Sequence, residues 1–167
     1  MSTFGTLQSS YCSKFGLSGR YTPQIVINGL EQNNGANNLW IRGKIDNFLV
    51  QTIKAGVAIK LVSDPNDQPI RVAYNILDAP AGSKLKVFLL EGDLTSVVTA
   101  GENTGKTLHH ENVARTLRIM NIYEPVGEVK IMVPTGVVRN NVKIMAYVQD
   151  ATSLEIIAAT KGFDLFD

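Results

Sequence analysis

The sequence predicts a mainly β protein, an antiparallel β-sandwich over residues 56–167 preceded by a short α/β segment over residues 1–55. Three observations carry this reading. The hydrophobic pattern changes from a helical period to a period of two near residue 55. Beyond that point, short runs rich in Val, Ile, Leu and Thr follow one another with no helical stretch between them. The breaks between those runs are turn chemistry: Asp64-Pro-Asn-Asp67, Ala79-Pro-Ala-Gly82, Pro134-Thr-Gly136, Arg139-Asn-Asn141 and Gln149-Asp-Ala151.

Taken in order, residues 6–15 form a short helix that Gly16 stops. Thr22-Pro23 leads into a strand from Gln24 to Ile27. Asn28-Gly29 is a hairpin turn signal, followed by a return strand through Leu30 to Gln32 that Asn33-Asn34-Gly35 ends. Asn37 or Asn38 caps a second helix, in which Ile41, Ile45, Phe48, Leu49 and Ile53 fall on one stripe. The strands then run Val57 to Val62, Ile70 to Leu77, Lys84 to Leu90, Thr95 to Thr99, Val113 to Ile122, Glu128 to Val133, Val142 to Val148 and Leu154 to Thr160. In the seventh of these, Val142, Ile144, Ala146 and Val148 face one way and Lys143, Met145, Tyr147 and Gln149 the other.

Composition narrows the function classes. The 167 residues suffice for one domain, or one domain and part of another. An apolar content of 44% with 19% charged residues is that of a soluble globular protein. A net charge of +1 gives no global case for nucleic acid or an anionic membrane as partner. Apolar runs such as Lys84–Leu90 are far too short for a membrane-spanning helix. Met1-Ser-Thr-Phe-Gly lacks the basic start and apolar core of a signal peptide, so a cytoplasmic location is expected if Met1 is the start. Cys12 is alone, which excludes an internal disulfide and a dithiol cycle. It is expected to be inert or partly buried, since Lys14 two residues on does not face it.

Ala100-Gly-Glu-Asn-Thr-Gly-Lys-Thr107 imitates a relaxed phosphate-binding loop. Such a loop works only between a strand and a helix of a parallel βαβ unit, whose N–H groups cradle the phosphates. Leu108 to Ile122 is β-rich instead, so a Gly-rich turn with a solvated Lys106 is expected, and Tyr147-Val-Gln-Asp150 is read as a strand ending in a turn. His109 and His110 are adjacent on a strand and cannot chelate one metal together. Asp64 and Asp67 flank a solvated turn. No catalytic residue, cofactor site or metal site is assigned. Candidate ligand contacts in this region are Glu102, Asn103, Lys106, His109 and Arg115, and an enzyme built on them is the least favoured hypothesis.

Tyr21-Thr-Pro-Gln-Ile-Val-Ile-Asn-Gly29 resembles the strand that thioredoxin folds place beside their reactive cysteines, where the X-Pro bond is cis. Helix, Pro-strand, strand, helix is the order of that fold's second half, which makes residues 1–55 a partial thioredoxin-like α/β segment. Phe15–Gly29 and Ala100–Arg115 together resemble the two signatures of domain-of-unknown-function family 1223, bacterial secreted proteins in which a thioredoxin-like domain precedes a β-sandwich. The resemblance spans nearly the whole chain and implies a periplasmic or secreted setting. It carries Thr22 and Pro23 over as the site that would contact a thiol substrate. This chain departs from the family by lacking the leading strand, cysteine-bearing helix and next strand. The resemblance then implies a non-catalytic binding or structural module, with a homodimer or protein partner meeting the exposed remnant. The alternative is a redox protein completed in trans by a separate cysteine-bearing half.

Overall fold

The computed structural model describes residues 3–52, 54–101 and 103–166. Ile53, assigned to the second helix's stripe, and the candidate contact Glu102 lie outside the described residues, as does Met1. The chain is mainly β, and all of its strand pairings are antiparallel among the described residues.

The first helix, α1 (Thr3–Lys14), begins three residues earlier than the sequence pattern suggests. It ends at Gly16, whose φ of 62° lets the Leu17 N–H turn back to the Cys12 carbonyl at 3.0 Å. The hairpin of β1 (Gln24–Ile27) and β2 (Glu31–Asn34) turns through Asn28 and Gly29, both at positive φ. Its loop takes three residues, so Leu30 belongs to the turn. Pairing runs from Ile27–Glu31 to Gln24–Asn34 and draws Asn33 and Asn34, expected as a terminator, into the strand. The second helix, α2 (Asn38–Leu49), is capped by the Asn37 side chain, which accepts from the Trp40 N–H at 3.3 Å.

Two larger sheets follow. One has the order β3-β4-β9, from β3 (Gly56–Leu61), β4 (Ile70–Leu77) and β9 (Val126–Ile131). The other has the order β11-β10-β5-β8, from β5 (Lys84–Glu91), β8 (Val113–Asn121), β10 (Val142–Gln149) and β11 (Ile156–Ala159). The two-residue β12 (Phe163–Asp164) pairs with β10 as well. A separate hairpin joins β6 (Leu94–Val97) to β7 (Thr107–His110). Strands β7 and β12 add to the eight read from sequence. Thr-Leu-His-His is too polar, and Phe-Asp too short, to show a period of two.

One core lies between the two larger sheets. Ile70, Val72, Tyr74 and Ile76 of β4 and Val129 and Ile131 of β9 meet Leu85, Val87 and Leu89 of β5 and Val142, Ile144, Ala146 and Val148 of β10. These inward sets follow the period of two that the sequence shows. The opposite face of β5 and β10 is buried too. Phe88, Leu90, Leu117 and Tyr147 cluster there, with Phe4 and Leu7 of α1 packed over them. Each such side chain contributes roughly 1.5–3 kcal/mol when taken fully out of water, so α1 is part of the fold's stability and not an appendage.

The amino-terminal segment is tied down chiefly at the turn between β10 and β11. Asp150 accepts from the Thr152 and Ser153 N–H groups at 3.0 and 2.6 Å and shapes that turn, and those bonds hold its carboxyl below the usual range. The Ile156 N–H donates to the Asn28 carbonyl at 2.9 Å, Lys54 pairs with Glu155 at 2.9 Å, and Lys14 donates to the Ser153 carbonyl. Gly29 abuts the Leu154 carbonyl so closely that a Cβ would overlap it. No helix among the described residues is long and apolar enough to cross a membrane.

Gly29 combines that close approach with a φ of 72°, where an L side chain is strained. Gly29→Ala is expected to destabilise the chain by about 2 kcal/mol or more, from overpacking and backbone strain together. A lowered urea midpoint, with faster proteolysis confined to residues 1–55, is the measurement that checks it.

Candidate functional site

The residues proposed from sequence fall in three separate places. Thr22 and Pro23 are exposed at the entrance to β1; their peptide bond is cis, as is Gln68–Pro69. The Pro23 carbonyl accepts from the Gly35 N–H at 2.9 Å, so the entrance is held by the far end of its own hairpin. Asn103 and Lys106 lie exposed in the loop joining β6 to β7, where the Lys106 Nζ donates to the Asn103 Oδ1 at 3.0 Å. That loop closes on itself through Gly105 N–H to the Val98 carbonyl (2.8 Å) and Val98 N–H to the Lys106 carbonyl (2.9 Å). It joins two antiparallel strands, with no helix after it, and so lacks the geometry of a phosphate-binding loop.

His109 is exposed on β7 and lies 3.3 Å from the Thr95 Oγ1 through its Nδ1; the His110 Nε2 lies 2.7 Å from the Ser96 Oγ. Their strand neighbours differ, as adjacent residues on a strand require. Among the described residues no group of three His, Cys, Asp or Glu side chains is placed to hold a metal.

Arg115 serves a different purpose. The register between β5 and β8 slips between Leu89 and Leu90, which pair with Thr116 and Ala114, so Arg115 is the extra residue of a β-bulge. Its Nη1 sits 3.0 Å from the Oε2 of Glu91, a carboxylate entirely removed from solvent. The other Glu91 oxygen accepts from the Val138 N–H at 2.7 Å. A buried charge needs such a partner. Neither the cleft beside β11 nor the cavity under α1 is lined by Asn103, Lys106, His109 or Arg115.

A second polar group, which the sequence reading did not single out, lies under α1. Lys84, Lys86, Phe88 and Leu90 share one face of β5, and across the sheet Lys86 pairs with Tyr147 and Lys84 with Gln149. Lys86 is only 5% exposed and has no carboxylate partner among the described residues; its Nζ lies 5.7 Å from the centre of the Tyr147 ring. Burial, with Lys84 adding to it, lowers the Lys86 pKa from 10.5 to about 8. Gln149, also buried, donates to the Tyr11 hydroxyl at 2.8 Å and to the Leu154 carbonyl at 2.7 Å. Burial raises both tyrosines, Tyr147 further than Tyr11, where the Gln149 hydrogen bond works against the rise. The signal in the sequence is Lys84-Leu-Lys-Val-Phe-Leu-Leu: a strand apolar on both faces leaves any lysine within it under cover.

Elsewhere, the apolar side of α2 finds little cover. Ile41 and Phe48 are half-buried, while Leu49 is 77% exposed, Ile45 40% and Val50, just beyond the helix, 85%. Phe48 and Leu49 border a cleft of about 470 Å³ whose far wall is Ala55 to Val57 and the β11 strand. Cys12 is buried, with its Sγ 3.7 Å from the Gly19 carbonyl.

A family described as protein of unknown function (DUF1223) matches residues 1–149. No curated protein matches the sequence. Among solved structures, protein AGR_C_4864 from Agrobacterium tumefaciens superposes with a TM-score of 0.65 at 20% identity, over 95% of this chain and 69% of that one. A domain of the outer membrane lipoprotein Omp28 from Porphyromonas gingivalis gives a TM-score of 0.37 at 18% identity, over 66% of this chain and 88% of that one. At these identities the Agrobacterium protein speaks for the fold alone.

Two substitutions separate structural from functional charge. Arg115→Met leaves Glu91 buried without its cation and is expected to cost about 3 kcal/mol, read as a lowered unfolding midpoint. Lys86→Met should do the opposite. At pH 7 Lys86 is charged in both states, so folding bears the full cost of burying it. Between about pH 8 and 10.5 the folded lysine is neutral while the unfolded one keeps its proton, so that cost fades as pH rises. The variant is expected to melt above the parent at pH 7, with the difference vanishing by about pH 10.5.

Proposed function

The chain belongs to the family described as protein of unknown function (DUF1223), and on that premise we propose that it is a non-catalytic binding or structural module of the bacterial cell envelope. In this reading residues 1–55 are a thioredoxin-like segment, and residues 56–167 are the β-sandwich that carries it. The single core shared by the facing sides of the two larger sheets supports the sandwich. The observation that carries the binding role is α2: none of its residues is buried among the described residues, although its sequence is amphipathic. An amphipathic helix with its apolar side in water marks an interaction surface. Here that surface runs from Ile45 and Leu49 to Val50 and into the cleft beside β11.

The hairpin of β1 and β2 forms a two-stranded sheet with both outer edges unpaired among the described residues. Two strands alone are marginal, and their edges are open to another strand. This favours a second reading, in which a cysteine-bearing strand–helix–strand piece adds to the hairpin in trans. Thr22 and Pro23 would then lie beside a reactive thiol.

Light scattering over a dilution series tests the first reading. The chain is expected to self-associate, and the pair Ile45→Glu and Leu49→Glu, both at exposed positions, is expected to return it to a monomer with its melting temperature little changed. A parent monomeric at every concentration, with the paired variant behaving identically, would sink that reading. Disulfide reductase activity is expected to be absent from the chain alone; activity appearing only on addition of a cysteine-bearing piece would establish the second reading instead.

A further inference from the structure

A buried lysine with no carboxylate partner among the described residues invites a reason other than folding. The cavity between α1 and the outer face of the β5 sheet has a volume of about 430 Å³, within the roughly 300–1,000 Å³ of small-molecule sites. Lys84 and Lys86 both line it, two residues apart and therefore on the same side of the strand. No carboxylate is among the described residues that line it. Among the described residues neither ammonium group has a hydrogen-bond or ion-pair partner, and the Nε2 of Gln149, the other buried polar side chain, is already committed to Tyr11 and Leu154. The rest of the wall is in good part apolar, from Leu7, Ile119 and Leu154.

Two cations held together with no counter-charge repel each other and lose hydration, and an anion placed between them relieves both. Lys86 contrasts in this with Glu91, the other buried charge on the same strand, which has Arg115 beside it. We propose that this cavity is a binding site for a small amphipathic carboxylate, its head held by the ammonium groups of Lys84 and Lys86 and its apolar body against Leu7, Ile119 and Leu154. The site is distinct from the α2 surface and does not depend on what covers that surface. Thr3, Thr6 and Ser10, exposed on α1, form part of the polar lining. The aliphatic stems of the two lysines add to the apolar lining, while their charged ends select the ligand.

Isothermal titration at pH 7 with octanoate as the probe, and octanol as its neutral counterpart, tests the proposal on the intact chain. Octanoate is expected to bind at one site and octanol at least tenfold more weakly. Lys86→Gln and Lys84→Gln should each weaken octanoate binding about tenfold or more, the effect of losing one hydrogen bond to a charged group. Both variants remove a cation that no described residue pairs, so circular dichroism should report an unchanged fold. A measurement free of substitution stands beside them: octanoate should slow reductive methylation of Lys86 in the parent protein, read by peptide mass, without slowing that of the exposed Lys161. Octanoate and octanol binding equally, octanoate binding unaffected by either substitution, or Lys86 modified at the same rate with and without octanoate would each overturn the proposal.

Discussion

Strand β5 is buried on both faces, and the rest of the molecule is arranged to meet that demand. Its central position between β10 and β8 satisfies its backbone groups on either side. Its side chains need two separate covers. Leu85, Val87 and Leu89 are covered by the β3-β4-β9 sheet, a broad apolar face against another. Phe88 and Leu90 are covered by a single twelve-residue helix that reaches them with Phe4 and Leu7. The second cover is far narrower than the first, and this asymmetry decides where the fold is tight and where it leaves room. Where α1 runs out of large side chains, beyond Leu7 on its Thr3, Thr6 and Ser10 side, the sheet beneath carries lysines and the space is a cavity.

A narrow helix cannot hold itself in place by its own packing, and its anchoring is correspondingly polar and local. Tyr11 meets Gln149, Lys14 meets Ser153, and the β1–β2 hairpin leans its Asn28-Gly29 tip on Leu154 and Ile156. These contacts converge on the last turn of β10 and the loop into β11. The turn therefore positions both the helix that roofs the cavity and the hairpin that carries α2. Among the described residues no comparable hydrogen bond ties α2 itself to that turn. Its Lys44 pairs with Glu31 at 2.7 Å and lies over Trp40, contacts within the amino-terminal segment, and about a third of each side chain of that ion pair remains in water. Such exposed pairs contribute little.

Much of this was legible in the sequence where a single period governs a segment. Strands β1 and β4 occur over Gln24–Ile27 and Ile70–Leu77 as read, and the alternation of Val142, Ile144, Ala146 and Val148 places them in one core. Turn residues that need positive φ, Asn28-Gly29 above all, stand where their chemistry requires. What was not legible depends on tertiary partners. Amphipathicity in Ile41, Ile45, Phe48 and Leu49 predicts a helix, yet says nothing of whether a partner is present to cover it. The polar pairing of β7 with β6 has no hydrophobic period to reveal it. Arg115 looked like a member of a cluster with Lys106 and His109 because it is near them in the chain; one inserted residue in the β8 ladder turns it to Glu91 instead. Glu91 and Lys86 ended up in the interior because β5 needed covering twice, a consequence of topology that no local window contains.

Those two buried charges show how differently one strand can treat a polar residue. Glu91 faces the end where the bulge brings a guanidinium, and a backbone N–H from Val138 takes its other oxygen. The guanidinium offsets the charge of Glu91, although no hydrogen bond reaches its Oε2 among the described residues. Lys86, five residues earlier and on the opposite face, lies over the face of Tyr147 with a second ammonium group near it. A methionine of similar length would fill the same volume without the cost of desolvating a charge. The difference is therefore not one of burial, which the two residues share, but of whether the structure supplies the opposite charge. For Glu91 it does. For Lys86 no carboxylate among the described residues does, and the cavity beside it is where a group of opposite charge would fit.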